Sequence, residues 1–309
     1  MKKVILVDGN NLLFRSFYAT LYSGNNMKSS KGVPTNAIYG FINMINKIIN
    51  EEEPHYMMVA FDIGKTFRHD FFVDYKGHRD ETTNDLKVQF PIAKEILTKM
   101  GIKYLECDGY EADDIIGTFA RMVDLDSEFI GTIVSSDRDL LQLISNDVDI
   151  KLLKQSDYIR VNKDNMKTIY GIEPIKIIDL KALQGDASDN IPGVKGIGEK
   201  TAIKLIEEYG SIEAIYANIE HIKGAVQTKL IEGKESAFMS KTLATIFKEV
   251  PLNLTLDDII YNGPNMDELL VIYNDLEFYS LLKDKKTKEV KTEYKTITTD
   301  QLIIDEPSS

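Results

Sequence analysis

Thiols, histidine ligands and long apolar runs are scarce in this sequence of 309 residues. Its single cysteine, Cys107, excludes an internal disulfide and a cysteine-built zinc site. The four histidines show no metal-ligand spacing and no Ser-His-Asp arrangement. No apolar run reaches the ~18 residues of a membrane span. The apolar start of the chain ends at Asp8, too early for a signal peptide. We therefore expect a cytoplasmic protein with no membrane partner.

Acidic residues outnumber basic ones, with 49 Asp and Glu against 37 Lys and Arg and a formal net charge of −12. Such a balance argues against nucleic-acid binding when the charge is spread evenly. Its distribution matters more, because a site that binds several divalent cations must itself be rich in carboxylates. The basic residues are also concentrated, since residues 65–103 hold eight Lys and Arg against six Asp and Glu.

Short apolar runs alternate with helical patterns over the first half of the chain. We predict strands at 3–8, 56–62, 103–107, 130–135 and 148–153, and helices at 35–50, 86–100 and 111–123. This alternation is typical of an α/β fold with a mostly parallel sheet and crossover helices. After about residue 179 the strand patterns end. Helices are then predicted at 174–183, 199–209, 211–217 and 235–248, so the length and the pattern together indicate two regions.

Carboxylates follow three of the predicted strands, and more acids lie in a helix start and a loop. A single acid of this kind is an ordinary turn or cap residue. The carboxyl ends of parallel strands meet at one edge of a sheet, however, so these acids should converge. The nine candidates are Asp8, Asp62, Glu111, Asp113, Asp114, Asp137, Asp139, Asp186 and Asp189.

Converging carboxylates need a compensating cation, because like charges a few Å apart repel by about 4 kcal/mol at an intermediate dielectric. Without histidine or thiolate partners, oxygen ligands select Mg²⁺ or Mn²⁺. Two such ions are a recurrent device for phosphodiester hydrolysis. The sequence therefore predicts a metal site with two or more Mg²⁺ or Mn²⁺ ions.

Two basic features could hold phosphate. Tyr75, Lys76 and Arg79 place a ring beside two cations, which would share one face of a helix. The alternative for this segment is a solvated loop. Arg15, seven residues after Asp8, is a further candidate for phosphate binding.

Glycines punctuate the segment 191–205, with Gly193, Gly196 and Gly198 flanking a predicted hairpin and a helix beginning near Glu199. Glycine allows a backbone to approach a partner closely, and amides at a helix start bind phosphate. Lys195 and Lys200 add charge. A nucleotide-binding glycine loop is the alternative, but no strand precedes this segment. A helix–hairpin–helix that binds a DNA backbone without regard to sequence fits better.

Seven motifs in one order identify a family resemblance: VDGNN, the FD at 61–62, YKxxR, GYEADD, SSDRDLLQL, GDASDN and IPGVKGIGEKTA. Together they resemble the 5′-nuclease (flap endonuclease-like) domain at the N-terminus of bacterial DNA polymerase I, over about residues 3–285. The resemblance implies a PIN-like α/β nuclease domain at 1–178, including a helical arch at about 64–103. It also implies a helix–hairpin–helix DNA-binding region at 179–285, followed by a tail at 286–309.

Residue roles follow from the same resemblance. The nine carboxylates would be metal ligands, with Asp113 and Asp137 central to catalysis. Lys76 and Arg15 would be active-site cations, Arg79 a phosphate contact and Tyr75 a stacking ring. The hairpin would bind duplex DNA through Gly193, Lys195, Gly196, Gly198 and Lys200, with K⁺ bridged by backbone carbonyls.

The resemblance implies a metal-dependent 5′→3′ exonuclease and flap endonuclease in replication and repair. Its substrates would be DNA with 5′ flaps, nicks or ends, and RNA–DNA hybrid. It would work as a monomer alongside a DNA polymerase. The stretch 80–84 lacks the prolines that polymerase relatives often have after YKxxR, which affects the arch and not the chemistry. We expect a stand-alone nuclease; the alternative is that the sequence is a piece of a longer protein. The rivals are a PIN-type ribonuclease and a non-catalytic DNA-binding module.

Overall fold

A six-stranded sheet lies at the centre of the protein, in a computed structural model that describes residues 1–22, 24, 27–79, 81–155 and 157–282. The strand order is β3-β2-β1-β4-β5-β6, and every neighbouring pair is parallel except the last, which is antiparallel. The predicted α/β fold with a mostly parallel sheet is therefore confirmed. The strands are β1 (Lys2–Asp8), β2 (Tyr56–Ala60), β3 (Lys103–Leu105), β4 (Phe129–Ser135), β5 (Val148–Leu153) and β6 (Tyr158–Val161).

Thirteen α-helices are found in the part of the chain that the structure describes. In the first half they are α1 (Gly9–Tyr22), α2 (Asn36–Glu52), α3 (Phe67–Phe71), α4 (Asn84–Lys87), α5 (Gln89–Lys99), α6 (Ala112–Asp124) and α7 (Lys163–Tyr170). In the second half they are α8 (Ile177–Gln184), α9 (Glu199–Tyr209), α10 (Ile212–Ala217), α11 (Ala225–Glu232), α12 (Lys234–Ala244) and α13 (Met266–Asp275). Five of these, α1, α3, α7, α11 and α13, lie outside the helices predicted from the sequence pattern.

Apolar side chains cover both faces of the sheet, as expected where crossover helices pack on a parallel sheet. On one face α1, α2 and α5 contribute to a core with alternate residues of β1 and β2. On the other face α6 packs on the sheet, and its core continues without a break into α8 and α9 of the helical region. The two predicted regions thus share one hydrophobic core.

The stretch 64–103, predicted as an arch, is only partly separate from the body. In α5 the side chains of Ala93, Ile96 and Leu97 are fully buried beside α2 and α13. This helix therefore belongs to the body. The predicted tail at 286–309 lies outside the described residues. None of the helices described is long and apolar enough to cross a membrane.

Candidate active site

Acidic side chains gather beyond the carboxyl ends of the central strands. Strand β1 ends at Asp8, and Asp62 and Asp137 each come two residues after their strands end. Glu111 and Asp113 lie at the start of α6, in the position before the helix and in its first turn. These five carboxylates line one cleft of about 1010 Å³, as parallel strand ends predict.

Two asparagines of the VDGNN motif fix the loops around this cleft. The side-chain oxygen of Asn10 accepts a hydrogen bond from the backbone N–H of Asp62, at 3.0 Å. That of Asn11 accepts from both the N–H and the hydroxyl of Ser136, each at 2.9 Å. The start of α1 therefore ties together the loops after β2 and β4. Neither asparagine was predicted to have a role in the site.

Burial and repulsion disfavour the charged form of two carboxylates in the cleft, Asp8 and Asp113. Burial raises the pKa of Asp8 to about 7, with a further contribution from Asp62 and Asp137. Burial also raises the pKa of Asp113, and Asp137, Asp8 and Glu111 add to the increase. A cation bound among these groups would remove the penalty.

Lys76 reaches into the cleft with its ammonium 2.6 Å from Glu111 Oε1 and 3.9 Å from Asp189 Oδ2. Burial disfavours its charge, but Glu111, Asp189 and Asp62 outweigh burial and raise the pKa of the ammonium. The backbone of Lys76 has a φ of 55°, and its N–H donates to the carbonyl of Asp189 at 2.9 Å. The lysine is thus held in place as a cation.

The neighbours of Lys76 differ from the prediction. Residues 73–78 form turns and not a helix, so Lys76 and Arg79 do not share a helical face. Tyr75 is 3% exposed and donates its hydroxyl proton to Glu111 Oε2 at 3.1 Å, so its ring cannot stack on a base. Arg79 is half exposed and binds Asp189 Oδ1 at 2.5 Å, with its side chain in the cleft.

Asp114 stands apart from the cleft acids. Its carboxylate is fully buried and forms two parallel bonds with Arg68, at 2.7 and 2.8 Å. It also accepts from the backbone N–H groups of Glu111 and Phe247. With every lone-pair direction used in this way, Asp114 is a structural anchor, and its assignment as a metal ligand is not supported by the geometry.

Asp139 and Asp186 form a second acidic pair, joined by Lys181 of α8. The ammonium of Lys181 lies 2.7 Å from Asp139 Oδ1 and also contacts Asp186 Oδ2. Burial raises the pKa of Asp139 to about 7, and Asp137 adds to the increase. Hydrogen bonds and the charge of Lys181 outweigh burial and lower the pKa of Asp186. Lys181 was not predicted as part of the site, because a single lysine within a helix carries no local sequence signal.

Arg15 is not among the residues that line the carboxylate cleft. Its guanidinium donates to the backbone carbonyl of Gln155 at 3.0 Å and lines a separate cavity between α1, α2 and the end of β5. The structure therefore does not bring Arg15 to the acids, and its predicted role as an active-site cation has no geometric support.

The glycine segment forms the predicted turn before α9. Gly193 is buried against the backbone of Gly185, so it serves packing and is not available to DNA. Gly196 has a φ of 81°, and its carbonyl accepts from the ammonium of Lys229 at 3.1 Å. Gly198 is exposed, and a Cβ built on it would meet nothing within 4 Å. Lys195 and Lys200 are exposed beside it.

The donor set fits hard divalent cations, because it consists of carboxylates whose charges are uncompensated in Asp8 and Asp113. Among the described residues, no three such side chains are arranged to hold an ion as they stand. Glu111 and Asp189 are instead bound by Lys76 and Arg79. An entering cation would therefore compete with these side chains.

Fold and site together define an α/β protein with a cleft of carboxylates beyond the ends of its parallel strands. Residues 3–171 match the family described as 5′-3′ exonuclease, N-terminal resolvase-like domain. Residues 172–267 match 5′-3′ exonuclease, C-terminal SAM fold. The chain belongs to the 5′-3′ exonuclease family, as the resemblance in its motifs had indicated.

Curated relatives extend this finding. DNA polymerase I of Bacillus caldotenax is 43% identical over 296 residues, which cover 94% of this chain and 33% of that protein. DNA polymerase I of Bacillus subtilis is 42% identical and covers 91% of this chain. The chain spans about a third of the length of the curated relatives it matches.

Solved structures share the fold. The T5 5′-exonuclease with bound divalent metal ions (zinc) superposes with a TM-score of 0.65 at 25% identity, covering 89% of this chain and 98% of that one. The catalytic core of Rad2 in complex with DNA substrate superposes with a TM-score of 0.60 at 19% identity, covering 89% and 87%. The second likeness concerns the fold alone.

Proposed function

We propose that this chain is a divalent-metal-dependent 5′→3′ exonuclease and flap endonuclease. It hydrolyses phosphodiester bonds near DNA 5′ ends, flaps and nicks, and in RNA–DNA hybrid, in support of a DNA polymerase. The observation that carries the proposal is the cleft that five carboxylates line together with Lys76, whose ammonium contacts Glu111. Identity of 43% to the N-terminal third of a polymerase supports the link to replication and repair.

Metal binding is proposed at this cleft, with Mg²⁺ or Mn²⁺ as the ions. The ligands would be Asp8, Asp62, Glu111, Asp113 and Asp137, because all five line it. Asp139, Asp186 and Asp189 would join a second site only by exchanging their lysine and arginine partners for metal. A divalent cation, when bound, lowers the pKa of water and stabilises charge that develops on a phosphate. The metal ions bound to the T5 5′-exonuclease support this assignment.

The protein's own groups would position and stabilise the scissile phosphate. Lys76 has the reach and the fixed charge to neutralise a phosphate that displaces Glu111 from its ammonium. Arg79, half exposed at the cleft, would bind a neighbouring phosphate. Asn10 and Asn11 would keep the carboxylates in register. The products would carry a 5′-phosphate.

Duplex DNA would be held by the helical region. We propose the division of labour that the sequence predicted, with catalysis in residues 1–178 and duplex binding in residues 179–285. Exposed Lys195, Gly198 and Lys200 at the start of α9 would contact phosphates. A K⁺ ion at the hairpin would compete with Lys229 for the carbonyl of Gly196. One chain carries the complete cleft, which supports a monomer.

Two rivals are less well supported. A PIN-type ribonuclease accounts for the acidic cleft but not for residues 172–267, which match the C-terminal domain of the exonuclease family. A non-catalytic DNA-binding module accounts for neither the buried, repelling acids nor the lysine held among them.

A 5′-labelled flap incubated with and without Mg²⁺ tests the proposal. We expect cleavage near the base of the flap only with the metal. Asp113→Ala and Asp137→Ala should abolish cleavage and retain DNA binding in Ca²⁺, because the phosphate contacts lie on other residues. Asp108→Ala, at an exposed acid outside the cleft, is the matched control. Near-normal turnover in the Asp113 and Asp137 variants would refute the metal-dependent mechanism, and wild-type protein that cuts no flap would refute the function.

A further inference from the structure

Three aromatic rings form a row along one face of α1. Phe14, Tyr18 and Tyr22 follow one another at intervals of four residues, which places them on the same side of a helix. The rings of Phe14 and Tyr18 are 6.4 Å apart with an angle of 25° between their planes, and those of Tyr18 and Tyr22 are 6.4 Å apart at 31°. We call these three residues the aromatic row.

The outer part of this row is exposed. Tyr18 is 40% and Tyr22 is 86% accessible to solvent, whereas Phe17 beside them is buried in the core. An amphipathic helix normally places its large aromatic rings on the buried face. Core packing therefore does not account for Tyr18 and Tyr22.

The row begins inside the carboxylate cleft. Phe14 and Tyr18 both line the cleft that holds Asp8 and Asp113, and Tyr22 continues the row outward. From Phe14 to Tyr22 the helix rises by about 12 Å. An occupant of the cleft that extends along α1 would thus meet one ring after another.

Basic side chains from another part of the chain line the same cleft. Lys87 and Lys94, on α4 and α5, both line it, and Phe90 between them meets the ring of Phe14 edge-on at 6.1 Å. The ammonium of Lys94 is paired with Glu106, which also lines the cleft. Lys87 is exposed, and its ion pair with Glu81 at 3.2 Å is exchangeable with solvent. Rings and cations that line one cleft suit a polymer with aromatic bases and a charged backbone.

We propose that the aromatic row is a stacking platform for single-stranded DNA, and that it leads the 5′ strand from the cleft along α1. Tyr18 and Tyr22 stack on successive unpaired bases, while Lys87 faces the phosphates and Lys94 reaches a phosphate only by exchange of its partner Glu106. Duplex DNA does not use the platform, because its bases are already stacked on one another. This inference rests on the proposed function, whose cleft supplies the entry point.

The two ring spacings are about twice the ~3.4 Å rise between stacked bases. The rings are therefore not in full face-to-face contact with each other, and the exposed side chains of Tyr18 and Tyr22 are accessible to a ligand. Stacking on an aromatic side chain tolerates every base, so the platform should show no sequence preference. Its contribution should depend on the number of unpaired nucleotides.

Binding of matched DNA substrates in Ca²⁺ tests the platform on the full chain. One substrate is a nicked duplex, and two others carry a short or a long 5′ single-stranded arm at the nick. Tyr18→Ala should weaken binding of both armed substrates about tenfold, as the loss of one stacked base does. Tyr22→Ala should weaken binding of the substrate with the long arm only. Neither variant should change binding of the nicked duplex.

A fluorescent base analogue in the arm supplies a spectroscopic readout. Stacking on Tyr18 should quench its emission in the wild type, and Tyr18→Ala should restore it. Tyr18→Phe and Tyr22→Phe retain the ring and should behave as the wild type. Tyr279→Ala removes an exposed tyrosine that lies outside the cleft and is the matched control.

Several outcomes would overturn the platform. One is that Tyr18→Ala weakens binding of the nicked and the armed substrates equally. A second is that the Tyr18→Ala Tyr22→Ala double variant binds the armed substrates as tightly as the wild type. A third is that the phenylalanine variants lose affinity for the armed substrates. The double variant also addresses a protein partner as the occupant, since that alternative leaves all DNA binding intact. Wild-type cleavage of flaps distinguishes the two failures. Normal cleavage with unaffected variants refutes the platform alone, whereas an absence of cleavage refutes the proposed function.

Discussion

Arg68 and Asp114 bind each other side by side in the interior, with Nη1 2.7 Å from Oδ2 and Nη2 2.8 Å from Oδ1. The arginine reaches from α3 to the first turn of α6 and also donates to the carbonyls of Leu243 and Thr245. One guanidinium thus joins three segments that are distant in sequence. Burial opposes the charge on Arg68, but Asp114 and Glu111 outweigh it and raise the pKa of the guanidinium.

Removal of either partner should destabilise the fold, because it leaves a buried charge unpaired. Arg68→Ala is expected to lower the free energy of unfolding by about 3–5 kcal/mol, measured by urea denaturation. Arg121→Ala breaks the exposed pair with Glu249 at 3.1 Å and should cost under about 1 kcal/mol, which makes it the control.

Asp114→Asn tests, through Mg²⁺-dependent cleavage, whether Asp114 is a structural partner of Arg68 or a metal ligand. We expect lower stability with Mg²⁺ dependence of cleavage close to that of the wild type. A variant that folds with normal stability but needs far more Mg²⁺ would place Asp114 among the metal ligands after all.

Local patterns explain what the sequence predicted well. Strands β1 and β4 are short, mostly apolar segments with an acid at the end of β1 and two residues after β4, and parallel strands bring such endings to one edge. The convergence of Asp8, Asp62 and Asp137 on one cleft was therefore predictable without a structure.

Long-range pairing explains what the sequence could not predict. Asp113 and Asp114 are neighbours of the same type, yet one turns into the cleft and the other toward Arg68, 46 residues away. The burial of Tyr75 depends on Glu111, from another segment. Helix α1 was missed because its first residues, Gly-Asn-Asn, are poor helix formers that fold there to fix Asp62 and Ser136.

Stability without metal should fall as the pH rises from about 4 to about 7. The pKa values of Asp8 and Asp139 are raised to about 7, so the folded protein retains protons that the unfolded chain has already lost in this window. Stability decreases with pH wherever the folded state binds more protons. Asp186, whose pKa is lowered, acts only below this window.

Thermal unfolding in EDTA and in Mg²⁺, at about pH 5 and about pH 8, measures this effect. We expect the midpoint in EDTA to be lower at the higher pH, and Mg²⁺ to raise it mainly there, because a cation replaces the protons. Asp8→Asn should flatten the pH dependence in EDTA. Equal stabilisation by Mg²⁺ at both pH values would contradict the coupling of these acids to metal.

Lys76→Ala should lower the single-turnover rate by about 10²–10³ and change substrate affinity much less. The ammonium lies 2.6 Å from Glu111 in the cleft, where loss of an electrostatic contact in the transition state has this magnitude. Alanine and lysine both have a Cβ and pay a similar conformational free energy at a φ of 55°, so the substitution adds little backbone strain. Lys76→Arg should not restore the rate, because its planar fork needs a different geometry.

Lys103→Ala, at an exposed lysine of β3 outside the cleft, is the matched control for this experiment. An unchanged single-turnover rate in Lys76→Ala would assign the residue to a solvated turn. If the cleavage rate falls only because the substrate binds more weakly, Lys76 contacts the bound substrate without stabilising the transition state.

Gly198→Val should weaken binding of duplex DNA without harm to the fold. Its φ of −96° suits any residue, and the Cβ position is open, so a loss of affinity would report a clash with DNA and not within the protein. Gly193→Ala is the contrasting variant, because its Cβ would lie 2.2 Å from the backbone nitrogen of Gly185, and we expect it to unfold at lower temperature.

Lys200→Ala should weaken duplex binding mildly and reduce the salt slope by about one. The measurement is binding of a nicked duplex and of a single strand across a salt series in Ca²⁺. The hairpin is the duplex contact only if Gly198→Val weakens the duplex and spares the single strand, whatever the sequence of either. Equal effects on both would leave this segment as the turn that connects α8 to α9 and positions Asp186 and Asp189.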